Sequence, residues 1–313
     1  MNVVNKPGVK NIPMENAVLK TLAYADVFDY PLTEKELFRW LIKDPDETRI
    51  INPNKSEWKD KFGSIRSKSS DKFGFKDGFY FLKKREKIVR IRQEREKWSR
   101  VKLIKARRIT HFLKLIPTIK MIALTGTLAV RNSEQDDDID ILIVSKTGTL
   151  WLTRFWTTIL LEILGQRRRP REKETKDKIC LNMFLDEEHL QISPEDQDLY
   201  TAHEVAQLIS LWDRDYAHEK FLKANLWVKK YLPKGIKTKN RGLRKHNSGP
   251  PVLTIYAFAL FEKFFKNLQL WYMRRHRTTE IISDGAIRFH PQDARKWILA
   301  SYYARIRNLP LDK

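Results

Sequence analysis

The sequence predicts an α+β fold in which a small mixed sheet lies between an N-terminal module of helices and a hairpin and a C-terminal helical region. Three patterns predict it: helical apolar spacing and then a hairpin signal before residue 82, short apolar runs alternating with helical segments in residues 118–193, and mostly helical spacing beyond residue 193. The predicted domains are residues 1–82, 83–117, 118–193 and 194–313, with a linker near 233–251.

The first 82 residues predict three helices and a hairpin. Apolar residues recur at helical spacing in residues 15–25, and Thr33 with Glu36 forms a capping box that begins a second helix. A third helix is predicted within residues 56–67, and an Asp-Gly pair within residues 73–82 predicts a hairpin turn. Three helices followed by a hairpin is the order of a winged helix, which binds duplex DNA in some proteins and contacts protein in others.

A long, strongly basic helix is predicted from residue 83 to residue 116, where Pro117 ends it. Its apolar stripe comprises Trp98, Val101, Ile104, Ile109 and Phe112. The basic residues that we expect to face a phosphate backbone include Arg92, Arg95, Arg100 and Lys102. The alternative is a solvated helix, or one that pairs with an acidic partner surface.

Residues 118–193 alternate short apolar runs with helical segments. The predicted strands are 120–124, 139–144 and 179–185, and the predicted helices are 127–132 and 150–165. This order builds a small mixed sheet backed by helices. The arginine-rich loop at 167–173 either binds the phosphates of a substrate or is a solvated loop.

Two alternating aspartates open the second of these strands. Asp138 and Asp140 are two residues apart, so their carboxylates share one face of an extended strand and could hold a divalent cation such as Mg²⁺. Ile139, Ile141 and Ile143 then face the core. Upstream, Gly126 permits close approach of the backbone to a ligand, and the N–H groups from Thr127 onward could receive phosphate oxygens. The alternative is a merely solvated acidic loop over residues 134–138.

This pattern resembles the DNA polymerase β-like nucleotidyltransferase superfamily, whose mark is Gly-Ser or Gly-Gly followed about a dozen residues later by Asp-x-Asp at the start of a strand. Gly126-Thr127 and Asp138-x-Asp140 match that mark over a short segment, and Thr127 keeps the hydroxyl of the usual serine. The resemblance implies transfer of a nucleoside monophosphate from a triphosphate. It assigns Mg²⁺ to Asp138 and Asp140, and positioning of the phosphates to Gly126 and Thr127.

The same resemblance implies a third carboxylate on a later strand. The strand at 178–186 has Cys180, Asn182 and Asp186 on one face by its period of two. Asn182 could ligate a metal but could not act as a base, so catalysis would use Asp186, Glu187 or no third carboxylate. Asp186 is the candidate catalytic residue, and the alternative is a solvated strand end.

Beyond residue 193 the pattern is mostly helical. The predicted helices are 198–211, 218–232, 252–276 and 292–308. His203 and His218 each precede a glutamate without the spacing of a zinc motif, so both are expected to be structural or exposed. Trp271 and Tyr272, beside a run of arginines, could stack on nucleic-acid bases, although aromatic residues at helical spacing more often form core.

The net charge of +22 on 313 residues favours polyanionic partners, with nucleic acid first and an anionic membrane surface second. The alternative is a basic surface that is simply solvated. Cys180 is the single cysteine, which excludes an internal disulfide and indicates a reducing compartment. The sequence has no signal core and no apolar run of bilayer length, so we expect a cytoplasmic protein without a membrane partner.

Together these patterns predict a metal-dependent nucleotidyltransferase that uses a nucleoside triphosphate and releases pyrophosphate. The basic surface favours RNA, most simply a tRNA-like end, as the acceptor, while the resemblance also permits a protein side chain or a small molecule. The competing hypothesis is a nucleic-acid-binding protein whose transferase fold is inactive. The third carboxylate is the feature that separates the two.

Overall fold

Two β-sheets organise the part of the chain that the computed structural model describes, one of three strands and the other of six. The described residues are 12–45, 52–169, 172–238, 252–274, 281–283, 285–288 and 293–311. The predicted α+β class is confirmed. The chain divides into two units, of which the first comprises residues 1–92, 229–235 and 298–313 and the second comprises residues 93–228 and 236–297.

The first unit packs helices beside the three-stranded sheet. Its elements are α1 (Ile12–Asp26), β1 (Leu32–Thr33), α2 (Glu34–Arg39), α3 (Lys55–Lys68), β2 (Phe73–Lys76) and β3 (Phe79–Leu82). The strand pairs are antiparallel and the sheet order is β1-β3-β2. Strand β1 was not predicted, because two residues are too few to form an alternating pattern.

The predicted capping box begins α2. The Thr33 backbone N–H donates to Glu36 Oε2 at 2.9 Å, and the Glu36 N–H donates to Thr33 Oγ1 at 3.3 Å. The predicted hairpin turn is also confirmed, since Asp77 and Gly78 have positive φ angles of +51° and +84°. Two-residue turns with this backbone match the twist of antiparallel strands, so β2 and β3 pair directly across the turn.

The helix that follows the hairpin, α4 (Ile88–Leu113), has 26 residues. It begins later than predicted, because Lys84 has a φ of +67°, which is incompatible with an α-helix. Its predicted apolar stripe does not form the buried face. The exposed members are Trp98, Val101, Ile104 and Phe112. Ile109 is the one member of the stripe that packs into the core of the second unit, where it lies with Ala106 and Leu113.

The second unit is built on the six-stranded sheet. Its elements are β4 (Ile119–Leu124), α5 (Gly126–Ala129), β5 (Ile139–Ser145), α6 (Leu150–Ile163), β6 (Ile179–Asp186), α7 (Leu199–Gln207), β7 (Ile209–Asp213), α8 (Ala217–Ala224), α9 (Val252–Arg274), β8 (Ile281–Ser283) and β9 (Ala286–Arg288). The sheet order is β7-β4-β5-β6-β9-β8. The pairing of β5 with β6 is parallel and the other pairings are antiparallel.

The C-terminal region contributes three strands to this sheet, which corrects the prediction that it is helical. The helix predicted over 198–211 ends at Gln207, and Leu208 turns to ψ 133° before β7. Ile209 and Leu211 then pack on the core. Strands β8 and β9 form a hairpin in which Gly285 has a φ of +75°. Most of the predicted linker, residues 239–251, lies outside the described residues.

A buried carboxylate in the first unit joins positions far apart in the chain. Asp26 Oδ1 accepts a hydrogen bond from Arg85 Nε at 2.6 Å, and Asp26 Oδ2 accepts one from Arg305 Nε at 2.8 Å. Arg305 belongs to α10 (Asp293–Arg307). The Asp26 side chain is 7% exposed, so these two guanidinium groups compensate a charge that has little contact with water.

Candidate functional site

The two predicted aspartates lie at the start of β5 in the centre of the six-stranded sheet. Ile139, between them, is fully buried, so the strand's period of two turns the Asp138 and Asp140 carboxylates to the opposite face, as predicted. Cys180 pairs with Asp140 across the parallel β5–β6 ladder. One potential ligand atom from each of Asp138, Asp140 and Cys180 lies within 4.8 Å of the others.

Gly126 lies against this pair of carboxylates. Its φ is +64°, and a Cβ added there would be 2.9 Å from Asp140 Oδ2. The Thr125 N–H donates to the Asp140 backbone oxygen at 3.1 Å, which fixes the turn beside the start of β5. Both the positive φ and the close approach require glycine at this position. The predicted Gly-hydroxyl turn and the Asp-x-Asp pair are therefore adjacent in space.

Burial and charge repulsion raise the pKa of one carboxyl group of the pair and that of the neighbouring thiol. Burial and the neighbouring Asp138 carboxylate raise the pKa of Asp140 to about 7. Burial and the same two carboxylates raise the pKa of the Cys180 thiol above its ordinary value, so the thiol stays protonated at neutral pH. Two close, partly buried carboxylates repel each other when both are ionised. A bound cation offsets that repulsion.

Arg168 is the residue of the basic loop that reaches the carboxylates. Its Nη1 donates to Asp138 Oδ2 at 2.5 Å and lies 3.7 Å from Cys180 Sγ. Its two neighbours in the loop, Arg167 and Arg169, bond to Glu162 of α6 instead. Among the described residues of the loop, Arg168 is therefore the one that contacts the carboxylate pair, and phosphate binding by the loop stays a prediction.

Thr127 and Asp137 hold the turn and the loop together. Asp137 Oδ2 accepts hydrogen bonds from Thr127 Oγ1 and Ser133 Oγ, both at 3.2 Å, and from the Glu134 N–H at 2.8 Å. The Thr127 side chain thus faces Asp137. Its hydroxyl therefore joins the turn at Gly126 to the loop that precedes the carboxylate pair. The sequence pattern did not indicate this contact.

A buried lysine of α4 fixes the loop that carries Asp138. The side chain of Lys102 is 2% exposed, and its Nζ donates to the backbone oxygens of Gln135 at 3.0 Å and Asp137 at 2.6 Å. It also donates to Asp177 Oδ1 at 2.6 Å. One turn earlier, Ser99 Oγ accepts from the Ser133 N–H at 3.1 Å. The basic helix therefore holds this loop through its side chains.

All four residues expected to face a phosphate backbone make internal contacts, and three of them are largely enclosed, which corrects that prediction; Arg100 pairs with Glu96 on its own helix. Lys102 is enclosed, and Arg95 forms an ion pair with Glu134. Arg92 donates to the Pro31 backbone oxygen at 2.9 Å and to Glu36 Oε1 at 2.7 Å. Arg100 remains largely exposed, at 71% of its side chain.

A β-bulge interrupts β6 where the third carboxylate was sought. Ile141 pairs with Leu181 and Leu142 pairs with Met183, so Asn182 is an extra residue. Its Nδ2 lies 3.4 Å from Thr125 Oγ1. The predicted period of two along this strand therefore fails at Asn182, and the residue facing Asp140 is Cys180 rather than an acid.

Asp186 is not brought to the carboxylate pair. It pairs with Ser145, five residues along β5 from Asp140, which corresponds to about 16 Å along the strand. Its carboxylate is buried and accepts from the N–H groups of Gly148 at 2.8 Å and Glu188 at 2.9 Å. These contacts give Asp186 a structural role at the far end of β6, contrary to its predicted place in the site.

Glu204 of α7 is an acidic residue near the site that sequence reasoning missed. Burial and the charge of Asp140 raise its pKa to about 7. His203, beside it, is buried, and its Nδ1 lies 3.0 Å from the Leu199 backbone oxygen. The His-Glu pair in the sequence drew attention to a zinc motif, whereas in the structure the charge of Asp140 acts on Glu204.

The donor atoms fit Mg²⁺ better than a soft metal. Mg²⁺ is commonly bound by one or two carboxylates together with the phosphates of a substrate, which Asp138 and Asp140 satisfy. A protonated thiol is a poor ligand for a hard cation, so Cys180 would stay outside the coordination sphere. Comparisons with protein-family models, curated proteins and solved structures find no match to this chain. The side-chain geometry is therefore what supports a function for this site.

Proposed function

We propose that the protein is a metal-dependent nucleotidyltransferase that moves a nucleoside monophosphate from a triphosphate to an acceptor and releases pyrophosphate. The observation that carries the proposal is the Asp138–Asp140 pair packed against the positive-φ turn at Gly126. This constellation combines a site for a hard cation with backbone that a phosphate can approach closely.

The side chains of the site divide the work of binding. Asp138 and Asp140 would hold Mg²⁺, which neutralises triphosphate charge and polarises the reacting phosphate. Arg168, bonded to Asp138, places a guanidinium where it can bind substrate phosphates. Gly126 leaves space beside Asp140, and Thr127 and Asp137 keep the turn in place.

RNA is the acceptor class that we propose. The net charge of +22 favours a polyanion over a neutral acceptor. The proposal that the first unit is a winged helix is supported by its element order and its sheet order β1-β3-β2, and such a module would add a nucleic-acid contact. On this proposal the second unit carries the chemistry and the first contributes to acceptor binding.

A second candidate is a nucleic-acid-binding protein whose transferase fold has lost activity. It is favoured by β6, where a protonated Cys180 faces Asp140 and a bulged Asn182 follows it, so this strand supplies no base beside the pair. The two candidates share the basic surface and differ only in whether a nucleotide is transferred.

The test is incubation of the protein with each labelled nucleoside triphosphate, Mg²⁺ and total cellular RNA, followed by measurement of label in the RNA. We expect Asp138→Asn and Asp140→Asn to lower transfer at least about 100-fold, because each removes one of two charges that hold the metal. Asp136→Asn is the matched control, since its side chain is 85% exposed in the same loop. RNA binding without transfer in the parent protein would favour the second candidate.

A further inference from the structure

Two neighbouring helices of the second unit expose apolar side chains at helical spacing. Helix α6 presents Trp156, Ile159 and Ile163, and α9 presents Phe261, Phe264 and Leu268. We call these six residues the apolar stripe surface. Each set follows positions i, i+3 and i+7, so each lies on one face of its helix. The exposed fractions of these side chains run from 36% at Ile159 to 76% at Ile163.

A series of aromatic contacts links the two stripes. The ring centroids of Trp156 and Phe155 are 5.4 Å apart, those of Phe155 and Phe265 are 4.4 Å apart, and those of Phe265 and Phe264 are 5.4 Å apart. This chain of rings joins an exposed residue of α6 to an exposed residue of α9. Contiguous apolar patches of this kind mark interaction surfaces.

The contact between α6 and α9 combines polar anchors with apolar packing. Glu262 accepts from the N–H groups of Trp151 at 2.7 Å and Leu152 at 2.9 Å. Gln269 accepts from Arg154 Nη1 at 2.5 Å and donates to the Trp151 backbone oxygen at 2.8 Å. Over residues 261–274, α9 therefore turns Glu262 and Gln269 inward beside the apolar Phe265, Leu270 and Met273, and it also exposes a row of Phe and Leu, which an ordinary surface helix keeps buried.

The charges beside the apolar stripe surface are basic. The acids of the two helices already have partners, because Glu262 binds backbone N–H groups and Glu162 pairs with Arg167 and Arg169. Lys263 and Arg274 of α9 are exposed. An apolar strip with basic flanks on a chain of net charge +22 is complementary to an anionic surface that also has an apolar interior.

We propose that the apolar stripe surface docks on an anionic lipid bilayer, with α6 and α9 lying in the interface. The described helices include none long and apolar enough to cross a bilayer, so the binding is peripheral. This inference goes beyond the proposed transferase function and does not depend on it. It differs from the sequence-based expectation of no membrane partner, with which the lack of a spanning helix among the described residues agrees.

Other occupants suit the surface less well. Nucleic-acid bases could stack on exposed rings of the two helices such as Trp156, Phe264 and Trp271, but they would leave the aliphatic Ile159, Ile163 and Leu268 in water, whereas acyl chains cover both kinds of side chain. A second copy of the chain would bring another net charge of +22 and its own Lys263 and Arg274 to the same contact. A bilayer with anionic headgroups satisfies both the apolar and the basic components.

The test is co-sedimentation of the full chain with vesicles of phosphatidylcholine alone and with vesicles in which phosphatidylglycerol replaces part of it. We expect binding to the mixed vesicles, little binding to phosphatidylcholine alone, and weaker binding as salt rises. The triple variant Phe261→Ser, Phe264→Ser and Leu268→Ser should bind at least about tenfold more weakly. Leu226→Ser, at an exposed site outside these helices, is the matched control.

A charge variant provides an independent arm if the triple variant fails to fold. Lys263→Gln with Arg274→Gln should weaken binding to the mixed vesicles several-fold and make it less sensitive to salt. The proposal is overturned if the parent does not bind the mixed vesicles, if it binds both vesicle types equally, or if the folded triple variant binds like the parent. Self-association of the parent that the triple variant abolishes would assign the surface to a second copy instead.

Discussion

Asp140 ionises at an energetic cost, because burial and the Asp138 carboxylate raise its pKa to about 7 from an ordinary value of 3.8. An acid whose pKa is raised on folding stabilises the fold when protonated, so this contribution is present below the unfolded pKa and lost as pH rises through about 7. In a metal chelator, we expect Asp140→Asn to raise the free energy of unfolding at about pH 8 by about 1–3 kcal/mol, and to change it little at about pH 4. Urea unfolding at both pH values measures this.

Divalent metal should make the parent more stable than Asp140→Asn at about pH 8, the opposite of the order expected in a chelator. Mg²⁺ that binds the folded parent adds to its stability by mass action, whereas Asp140→Asn should gain little. Asp136→Asn serves as the control because its exposed side chain is outside the carboxylate pair. An equal stabilisation of parent and Asp140→Asn by Mg²⁺ would remove Asp140 from the metal site.

Lys102→Met should destabilise the second unit strongly. It removes a buried ammonium that donates to two backbone oxygens and to Asp177, and it leaves that carboxylate without this partner. Breaking a buried ion pair from one side costs about 3–5 kcal/mol. Chemical unfolding measures this loss, and Lys97→Met, on an exposed face of the same helix, should stay within about 0.5 kcal/mol of the parent. A loss of less than about 1 kcal/mol in the free energy of unfolding for Lys102→Met would contradict the inference that Lys102 holds the loop that carries Asp138.

Single site residues could be predicted from the sequence where local spacing alone determines their position. Asp138, Asp140 and Gly126 come together because a two-residue period and a glycine turn are local properties of the chain. Lys102 was not recognisable as buried, since its partners lie more than thirty positions away and surrounding lysines look the same in sequence. The place of Asp186 depended on register, which only the pairing with β5 determines.

Two glycines of the first unit allow the effect of backbone conformation on stability to be measured without a change in packing. An added Cβ would meet no atom within 4 Å at either Gly63 in α3 or Gly78 in the hairpin turn. Gly78 has a φ of +84°, so Gly78→Ala should lower the free energy of unfolding by about 1 kcal/mol or more. Gly63→Ala should raise it by about 0.5–1 kcal/mol, because alanine favours a helix interior. Thermal unfolding of both variants tests the pair, and the same sign for both would contradict the assigned backbone conformations.

Elements with a complete local signal were predictable, and those stabilised by distant strands were not. Strands β4, β5 and β6 form apolar runs, and the Asp77-Gly78 turn has its own signature. Strand β7 is a short stretch after a helix, and it is stabilised by pairing with β4. The hairpin of β8 and β9 had an Asp-Gly signal of the same kind at 284–285, which the helical pattern around it obscured.

The net charge of the whole molecule overstates the charge available to a partner. Arg92, Arg95 and Lys102 of α4 are engaged internally. The basic residues of that helix with exposed side chains include Lys97, Arg100, Arg107 and Arg108. Any phosphate contact by α4 must therefore come from a different set of residues than the sequence suggested.

Changing that exposed set to glutamine should weaken RNA binding across many sequences. Each ion pair with a phosphate that the substitutions remove should make the slope of log affinity against log salt shallower by about 0.7 to 0.9. A variant with the same number of exposed charges removed elsewhere controls for net charge. Its positions are Lys176, Lys229, Lys230 and Lys237. Equal slopes for the two variants would show that α4 is solvated and does not follow the phosphate backbone.

The contact between Asp26 and Arg305 imposes an order on biosynthesis. The two residues are 279 positions apart, so a ribosome adding about 5–20 residues per second makes the second partner roughly 15 to 60 seconds after the first. During that interval Asp26 can be neutralised from the N-terminal side by Arg85 alone. The helices and hairpin at the start of the chain would therefore leave the ribosome as an incomplete unit and reach full stability only after the last helix is translated.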